Sequence, residues 1–208
     1  MLDLKICPAC GDRAEYPVAD GAELLCAVCD HRWPFRRLPL FALTGPSGAG
    51  KSTVGPRLAA RLSDEVVLLE QDVLWVGGLR NDVDGHPRFR SVWLRMAAMI
   101  HQSGRPVVLC GTVLPAELES RPERVFFSDI HYLALISDPD ALRTRLRSRP
   151  AWRGWNDEVR IDEMLEFNDW IHREGARATP PMDLFNTTNA SLDDSVDHAE
   201  AWIRKRLP

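Results

Sequence analysis

The stretch GPSGAGKS at residues 45–52 constrains the fold of this 208-residue chain more than any other feature. Gly45 and Gly50 permit backbone conformations in which successive amide groups converge on an anion. An apolar run at 38–43, typical of a buried parallel strand, precedes the stretch, and an apolar pattern with helical spacing follows from Val54. A glycine-rich loop between a buried strand and a helix N-terminus is a phosphate-binding loop, so the sequence predicts nucleotide binding.

Each polar side chain of this loop has an expected task. Lys51 should reach the β- and γ-phosphates of ATP, and the Ser52 hydroxyl should ligate Mg²⁺. The predicted nucleotide-binding residues are Gly45, Pro46, Ser47, Gly48, Ala49, Gly50, Lys51, Ser52 and Thr53.

The rest of the chain alternates between strand-like and helix-like patterns. Short apolar runs recur at 66–70, 106–110, 130–136 and 183–187, with helical periodicity between them. This alternation predicts an α/β fold in which a parallel sheet of about five strands carries helices on both faces. Within the predicted helix at 158–174, Asn168 falls on the apolar stripe, so we expect it to meet a polar partner or a cleft.

A small module precedes the sheet. Cys7, Cys10, Cys26 and Cys29 form two CxxC pairs, and in a reducing compartment this spacing favours a metal over disulfides. Two such turns supply a closed four-sulfur shell, so the sequence predicts a structural zinc site in a zinc ribbon at residues 1–36, with an iron site of rubredoxin type as the lesser alternative.

The segment HRWPFRR at 31–37 leaves the role of the ribbon open. Its aromatic and cationic side chains could stack on and neutralise a single nucleic-acid strand. They could equally dock the ribbon on the main domain or on a partner protein, and this interpretation is favoured because the net charge of −4 does not indicate nucleic-acid binding.

Two further motifs extend the phosphate-loop pattern: VVLLEQDVLW, which contains Asp72, and DPDALRTRLRSRPAWRG, which contains Arg145, Arg149 and Arg153. With them, residues 38–208 resemble the P-loop kinases of small molecules, which include nucleoside, nucleotide, gluconate and shikimate kinases. The resemblance implies that Asp72 faces the phosphoryl acceptor as base or orienting carboxylate and helps to hold Mg²⁺. It also implies that the three arginines belong to a lid over the transferring phosphate, and guanidinium groups suit that work because they spread charge over phosphate oxygens.

The resemblance also implies that the region between Asp72 and the strand at 106–110 binds the acceptor. Trp75, Arg80 and Arg90 are the predicted contacts, because an aromatic ring can stack on a base or ring and an arginine can pair with an anionic group. Trp93 lies on an apolar helical stripe and is better explained as a core residue.

The strand VVLCGT carries no acidic residue, so Mg²⁺ is expected to rest on Ser52, the phosphates and Asp72. No guanine-reading motif is visible, which argues against a GTPase.

The sequence therefore predicts an ATP-dependent kinase that acts on a small acceptor, and a nucleoside or nucleotide is the favoured acceptor. Two alternatives remain: a polynucleotide-end kinase whose ribbon holds the strand, and a nucleotide-sensing ATP-binding partner protein without acceptor turnover. The N-terminus lacks a signal-peptide profile and no apolar run could span a bilayer, so a cytoplasmic protein is expected. The oligomeric state is left open.

Overall fold

The computed structural model describes residues 3–79, 86–150 and 157–208. In these ranges the strands form two separate sheets. The first is a small antiparallel sheet of β1 (Val18–Asp20), β2 (Glu23–Leu25) and β3 (Arg32–Pro34), with β2 in the centre. It lies in the cysteine-containing N-terminal segment.

The second sheet confirms the predicted α/β fold. It has five strands in the order β5-β6-β4-β7-β8, and every neighbouring pair is parallel. Its strands are β4 (Leu40–Thr44), β5 (Val67–Glu70), β6 (Val107–Cys110), β7 (Ile130–Ile136) and β8 (Met182–Asn186). The central strand β4 is buried along its whole length, which explains why its sequence is continuously apolar instead of alternating.

Helices cover both faces of this sheet, because successive strand residues point to opposite sides. Phe41 faces the core formed with α1 and α6, whereas its neighbours Leu40 and Ala42 face the core formed with α2. The helices are α1 (Lys51–Arg61), α2 (Pro87–His101), α3 (Pro115–Glu119), α4 (Pro139–Arg147), α5 (Glu158–Glu174) and α6 (Leu192–Arg204). Short 3₁₀ turns occupy Gln71–Leu74, Pro122–Phe126 and Gly175–Arg177.

The polar partner expected for Asn168 is the backbone of Ser137. The Asn168 side chain accepts a hydrogen bond from the Ser137 N–H at 3.2 Å and donates one to the Ser137 carbonyl at 2.7 Å. Both residues are fully buried, so this amide satisfies two backbone groups that water cannot reach. It ties α5 to the segment between β7 and α4.

The N-terminal segment packs on the α2 side of the large sheet. Leu24 and Phe35 belong to the same buried cluster as the residues of α2, and the ring of Phe35 meets that of Phe126 edge-on at 6.3 Å. The Lys5 ammonium lies 3.2 Å from the Glu123 carboxylate, and both side chains are nearly buried. The N-terminal segment therefore shares a core with the body of the protein.

Across the described ranges, each helix is too short or too polar to cross a membrane.

Candidate active site

The carboxyl ends of the central strands open into a cleft of about 410 Å³. In a parallel sheet this edge is the usual place for a ligand, because the loops that leave neighbouring strands meet there. The cleft brings together three predicted elements: residues 47–53 of the phosphate loop, Asp72, and the arginines Arg145 and Arg149.

Two glycines give the phosphate loop its shape. A Cβ atom on Gly45, whose φ is +126°, would lie 2.1 Å from the Leu135 carbonyl oxygen. Gly50 has φ +106° and caps α1, which begins at Lys51. This left-handed cap exposes the unpaired N–H groups of the first helical turn to the cleft, where they can bind phosphate oxygens.

Lys51 is buried beneath the loop. Its ammonium group donates hydrogen bonds to the Gly45 carbonyl at 2.6 Å and to the Pro46 carbonyl at 2.9 Å. Burial lowers the pKa of Lys51 to about 8, although the negative charges of Glu70 and Asp72 oppose the shift. The lysine is thus a poorly compensated cation, ready for an anionic ligand.

Asp72 lies in the 3₁₀ turn that follows β5 and is exposed to the cleft. A second carboxylate, Glu70, lines the same cleft from the last position of β5. Burial, together with the nearby charge of Asp72, raises the pKa of Glu70. The two carboxylates line one cleft with the Ser52 hydroxyl, and hard oxygen ligands of this kind are the ones that Mg²⁺ prefers.

Glu70 was not predicted from the sequence. VVLCGT carries no acidic residue, but Glu70 pairs in register with Cys110, the last residue of the strand β6. The neighbouring strand therefore supplies the carboxylate. Glu70 could have been predicted from its position, since it ends an apolar run two residues before Asp72.

The lid arginines differ in their surroundings. Arg145 donates hydrogen bonds to the Thr187 hydroxyl at 3.0 Å and to the Thr187 carbonyl at 2.7 Å, so it clamps the loop after β8. Arg149 lies close enough to Lys51 for its charge to contribute to the low pKa of that lysine. The predicted Arg153 lies outside the described residues.

Residues of the β8–α6 loop and of the first turn of α6 also line the cleft: Thr187, Ala190, Ser191, Leu192 and Ser195. Ser191 and Asp194 form the expected capping box of α6, with both reciprocal hydrogen bonds at 3.0 Å.

The predicted acceptor residues lie beyond Asp72. The Trp75 ring, 39% exposed, meets His86 and Phe89 edge-on with centroids 4.8 and 5.1 Å away. Arg90 is buried, and its guanidinium binds Gln71, Thr112 and Glu117. Arg80 lies outside the described residues. Trp93 is buried, as its place on an apolar stripe indicates.

The four N-terminal cysteines converge on one point. Their sulfur atoms all lie within 4.8 Å of one another, and the Cys7–Cys29 and Cys10–Cys26 pairs are 3.8 and 3.7 Å apart. Four sulfurs at about 2.3 Å from a tetrahedral zinc ion are about 3.8 Å apart, so this cluster could hold zinc.

Known proteins share both the sequence and the fold of this chain. Residues 42–166 match the family model described as an AAA domain. The chain is 38% identical over 185 residues to shikimate kinase from Chlorobaculum tepidum, an alignment that covers 80% of this chain and 93% of that one.

Solved structures show the same architecture. A gluconokinase from Sinorhizobium meliloti 1021 superposes with a TM-score of 0.59 over 82% of this chain and 94% of its own, at 19% identity. Shikimate kinase from Acinetobacter baumannii, solved in complex with shikimate, has a TM-score of 0.51 over 82% of this chain and 96% of its own, at 22% identity. Together with the cleft geometry, these similarities show that the chain belongs to the P-loop kinase family that includes the shikimate kinases, and that it is an ATP-dependent kinase.

Proposed function

We propose that this kinase transfers the γ-phosphoryl group of ATP to a hydroxyl group of a small polyhydroxylated acid. The observation that carries the proposal is the cleft in which the Asp72 and Glu70 carboxylates face the phosphate loop and Lys51. The names of the relatives favour this acceptor class, to which shikimate and gluconate belong, over the nucleoside or nucleotide favoured by the sequence analysis.

Each side chain has a part in the transfer. The loop amides and Lys51 hold the β- and γ-phosphates, and Arg149 adds positive charge from the lid as negative charge spreads over the transferring group. Asp72 orients the acceptor hydroxyl and takes its proton as the new O–P bond forms and the bond from the γ-phosphorus to the departing ADP breaks. When Mg²⁺ is bound it neutralises phosphate charge, and Ser52, Glu70 and Asp72 are the oxygen donors that fit it.

Arg145 has a positioning part in this scheme, because its guanidinium is bound to Thr187. It holds the β8–α6 loop against the nucleotide side of the cleft. Arg153, which the resemblance also assigns to the lid, keeps its predicted phosphate contact as part of the proposal.

An acceptor panel with one matched pair of variants tests the proposal. ATP consumption is measured with shikimate, gluconate, nucleosides, nucleoside monophosphates and oligonucleotides. Asp72→Asn should lower kcat with the active acceptor by about 10²–10⁴-fold and leave the Kd for ATP, measured without Mg²⁺, within about twofold of the wild-type value. Asp64→Asn, at an exposed aspartate in the turn after α1, is the control and should change neither quantity.

The other outcomes each decide against a part of the proposal. Wild-type turnover by Asp72→Asn would remove Asp72 from the mechanism. Activity confined to nucleosides or nucleotides would replace the acid as acceptor. Tight ATP binding with no acceptor turnover would favour the nucleotide-sensing alternative.

The four cysteines are proposed to bind one structural zinc ion that folds residues 1–36 as a ribbon on a kinase domain of residues 37–208. A segment this short rarely folds without a bound metal ion or disulfides. A four-sulfur shell leaves no open coordination position, so the zinc would have no part in catalysis. Metal analysis should find one zinc per chain, and one iron per chain would establish the rubredoxin-type alternative.

The strand-holding role of the ribbon has less support. The Arg36 N–H donates to the Gln102 side chain at 2.8 Å, and the Arg37 guanidinium donates to the Phe127 carbonyl at 3.2 Å. These contacts tie the basic segment to the kinase body. Oligonucleotide binding that weakens as the salt concentration rises, and that is weaker and less salt-dependent when Arg36 and Arg37 are both changed to alanine, would restore the polynucleotide alternative.

A further inference from the structure

We infer that Gln71, Arg90 and Glu117 form a positioning network that aims the Glu70 and Asp72 carboxylates at the phosphate loop. We call these three residues the Gln71 network. Its catalytic consequence rests on the proposed function, but its effect on Mg²⁺ and ATP binding does not.

Gln71 is placed between the two carboxylates and is only 4% exposed. Its amide donates a hydrogen bond to the Thr112 carbonyl at 2.9 Å and accepts one from the Arg90 guanidinium at 2.8 Å. Its side chain also packs directly against Gly111. A Cβ atom added to Gly111 would lie 2.5 Å from the Gln71 amide carbon. The turn between Glu70 and Asp72 is therefore held from beneath by a buried polar side chain.

Arg90 brings the charge into this buried region, and Glu117 balances it. The guanidinium, on a residue 5% exposed, donates to the Thr112 carbonyl at 3.0 Å and to the Glu117 carboxylate at 2.8 Å. The other oxygen of Glu117 accepts the Leu114 N–H at 2.6 Å, which fixes the carboxylate at the start of α3. Removal of one partner from a buried ion pair leaves an uncompensated charge, so the network acts as a unit.

The network reaches the phosphate loop through Thr112. The Thr112 hydroxyl donates to the Gly45 carbonyl at 3.2 Å, and that carbonyl also accepts the Lys51 ammonium. A continuous set of contacts thus joins α2, the carboxylate turn and the donor lysine. Both terminal nitrogens of Arg90 are used in it, so Arg90 acts on the acceptor side by positioning.

A near-isosteric change at Gln71 tests the inference. Gln71→Met keeps the packing on Gly111 and removes both hydrogen bonds. Tyr132→Phe is the matched control. Tyr132 lies on β7 outside the lining of the cleft, and the change removes a buried hydroxyl that donates a hydrogen bond to the Glu119 carboxylate at 3.1 Å. For both variants we would measure Tm, the ratio of the Kd values for ATP without and with Mg²⁺, and the kcat and KM for the acceptor that the wild type phosphorylates.

Gln71→Met should reduce the ratio of ATP Kd values without and with Mg²⁺ by about threefold or more. It should also reduce kcat by about 10–100-fold, since a displacement of a reacting group by about 1 Å can lower the rate by such a factor. Tyr132→Phe should lower Tm while leaving both quantities unchanged. Glu117→Gln should repeat the Gln71→Met result, and the double variant should lose less than the product of the single losses.

The two proposals fail in different ways. A Gln71→Met protein with a lower Tm but the wild-type ratio of ATP Kd values without and with Mg²⁺ would overturn the network, whatever the acceptor. If Gln71→Met does not fold, the wild-type ratio in Glu117→Gln would overturn it equally. A changed ratio, combined with a wild-type enzyme that turns over no acceptor in the panel, would keep the network and reject the proposed reaction.

Discussion

Raising the pH above about 8 should weaken ATP binding, because Lys51 then loses its proton. Burial lowers the pKa of this lysine from 10.5 to about 8 in the ligand-free protein, which corresponds to a cost of about 3 kcal/mol for keeping the cation buried. Between about pH 8 and pH 10.5 the unfolded chain binds more protons than the folded chain, because Lys51 is still protonated only when unfolded. The cost to folding is therefore present below about pH 8 and is relieved as the pH rises toward 10.5.

Bound phosphates oppose the lowering of the Lys51 pKa, since they surround the ammonium with negative charge and favour its protonated form. If the pKa of Lys51 returns to about 10.5 in the complex, the Kd for ATP should increase about tenfold between about pH 7 and about pH 9. The same linkage requires that binding at about pH 9 takes up nearly one proton per ATP.

Calorimetry measures both quantities. Titrations of the wild-type protein with MgATP in two buffers of different ionisation enthalpy give the Kd and the number of protons taken up at each pH. Lys51→Arg is the control, because a guanidinium stays protonated throughout this range and its Kd should not depend on pH.

Two results would refute the reasoning. A Kd for ATP that stays constant up to about pH 9.5, without proton uptake, would show that Lys51 is not a depressed titrating group in the free protein. An equal pH dependence in Lys51→Arg would assign the titration to another residue.

Three further changes have defined outcomes. Gly45→Ala should abolish ATP binding, measured by calorimetry, because the added Cβ atom collides with the Leu135 carbonyl. Asn168→Ala should lower the free energy of unfolding in urea by about 1–3 kcal/mol, because it strands the buried Ser137 N–H and removes a hydrogen bond to the Ser137 carbonyl, and no loss would contradict that pairing. Cys10→Ser, or a strong chelator, should remove the metal and lower Tm, since the ribbon shares a core with α2; an unchanged Tm in metal-free protein would refute the structural role.

Much of this protein follows from local sequence. The five strands, the phosphate loop and the capping box of α6 were predictable because apolar periodicity and turn chemistry act over a few residues. The cysteine cluster was predictable for the same reason, since each CxxC turn presents two thiolates whatever the rest of the chain does. Asp72 and Lys51 were found because their places are set relative to a strand end and a loop.

Only the tertiary structure decided which distant residues meet. The register of β5 against β6 places Glu70 beside Cys110 and so supplies the carboxylate that VVLCGT lacks. The packing of α2 and α3 turns Arg90, predicted as an acceptor contact, toward Gln71 and Glu117. These pairings depend on long-range strand order and on the room left around each side chain, and neither quantity is encoded in the spacing of residues along the chain.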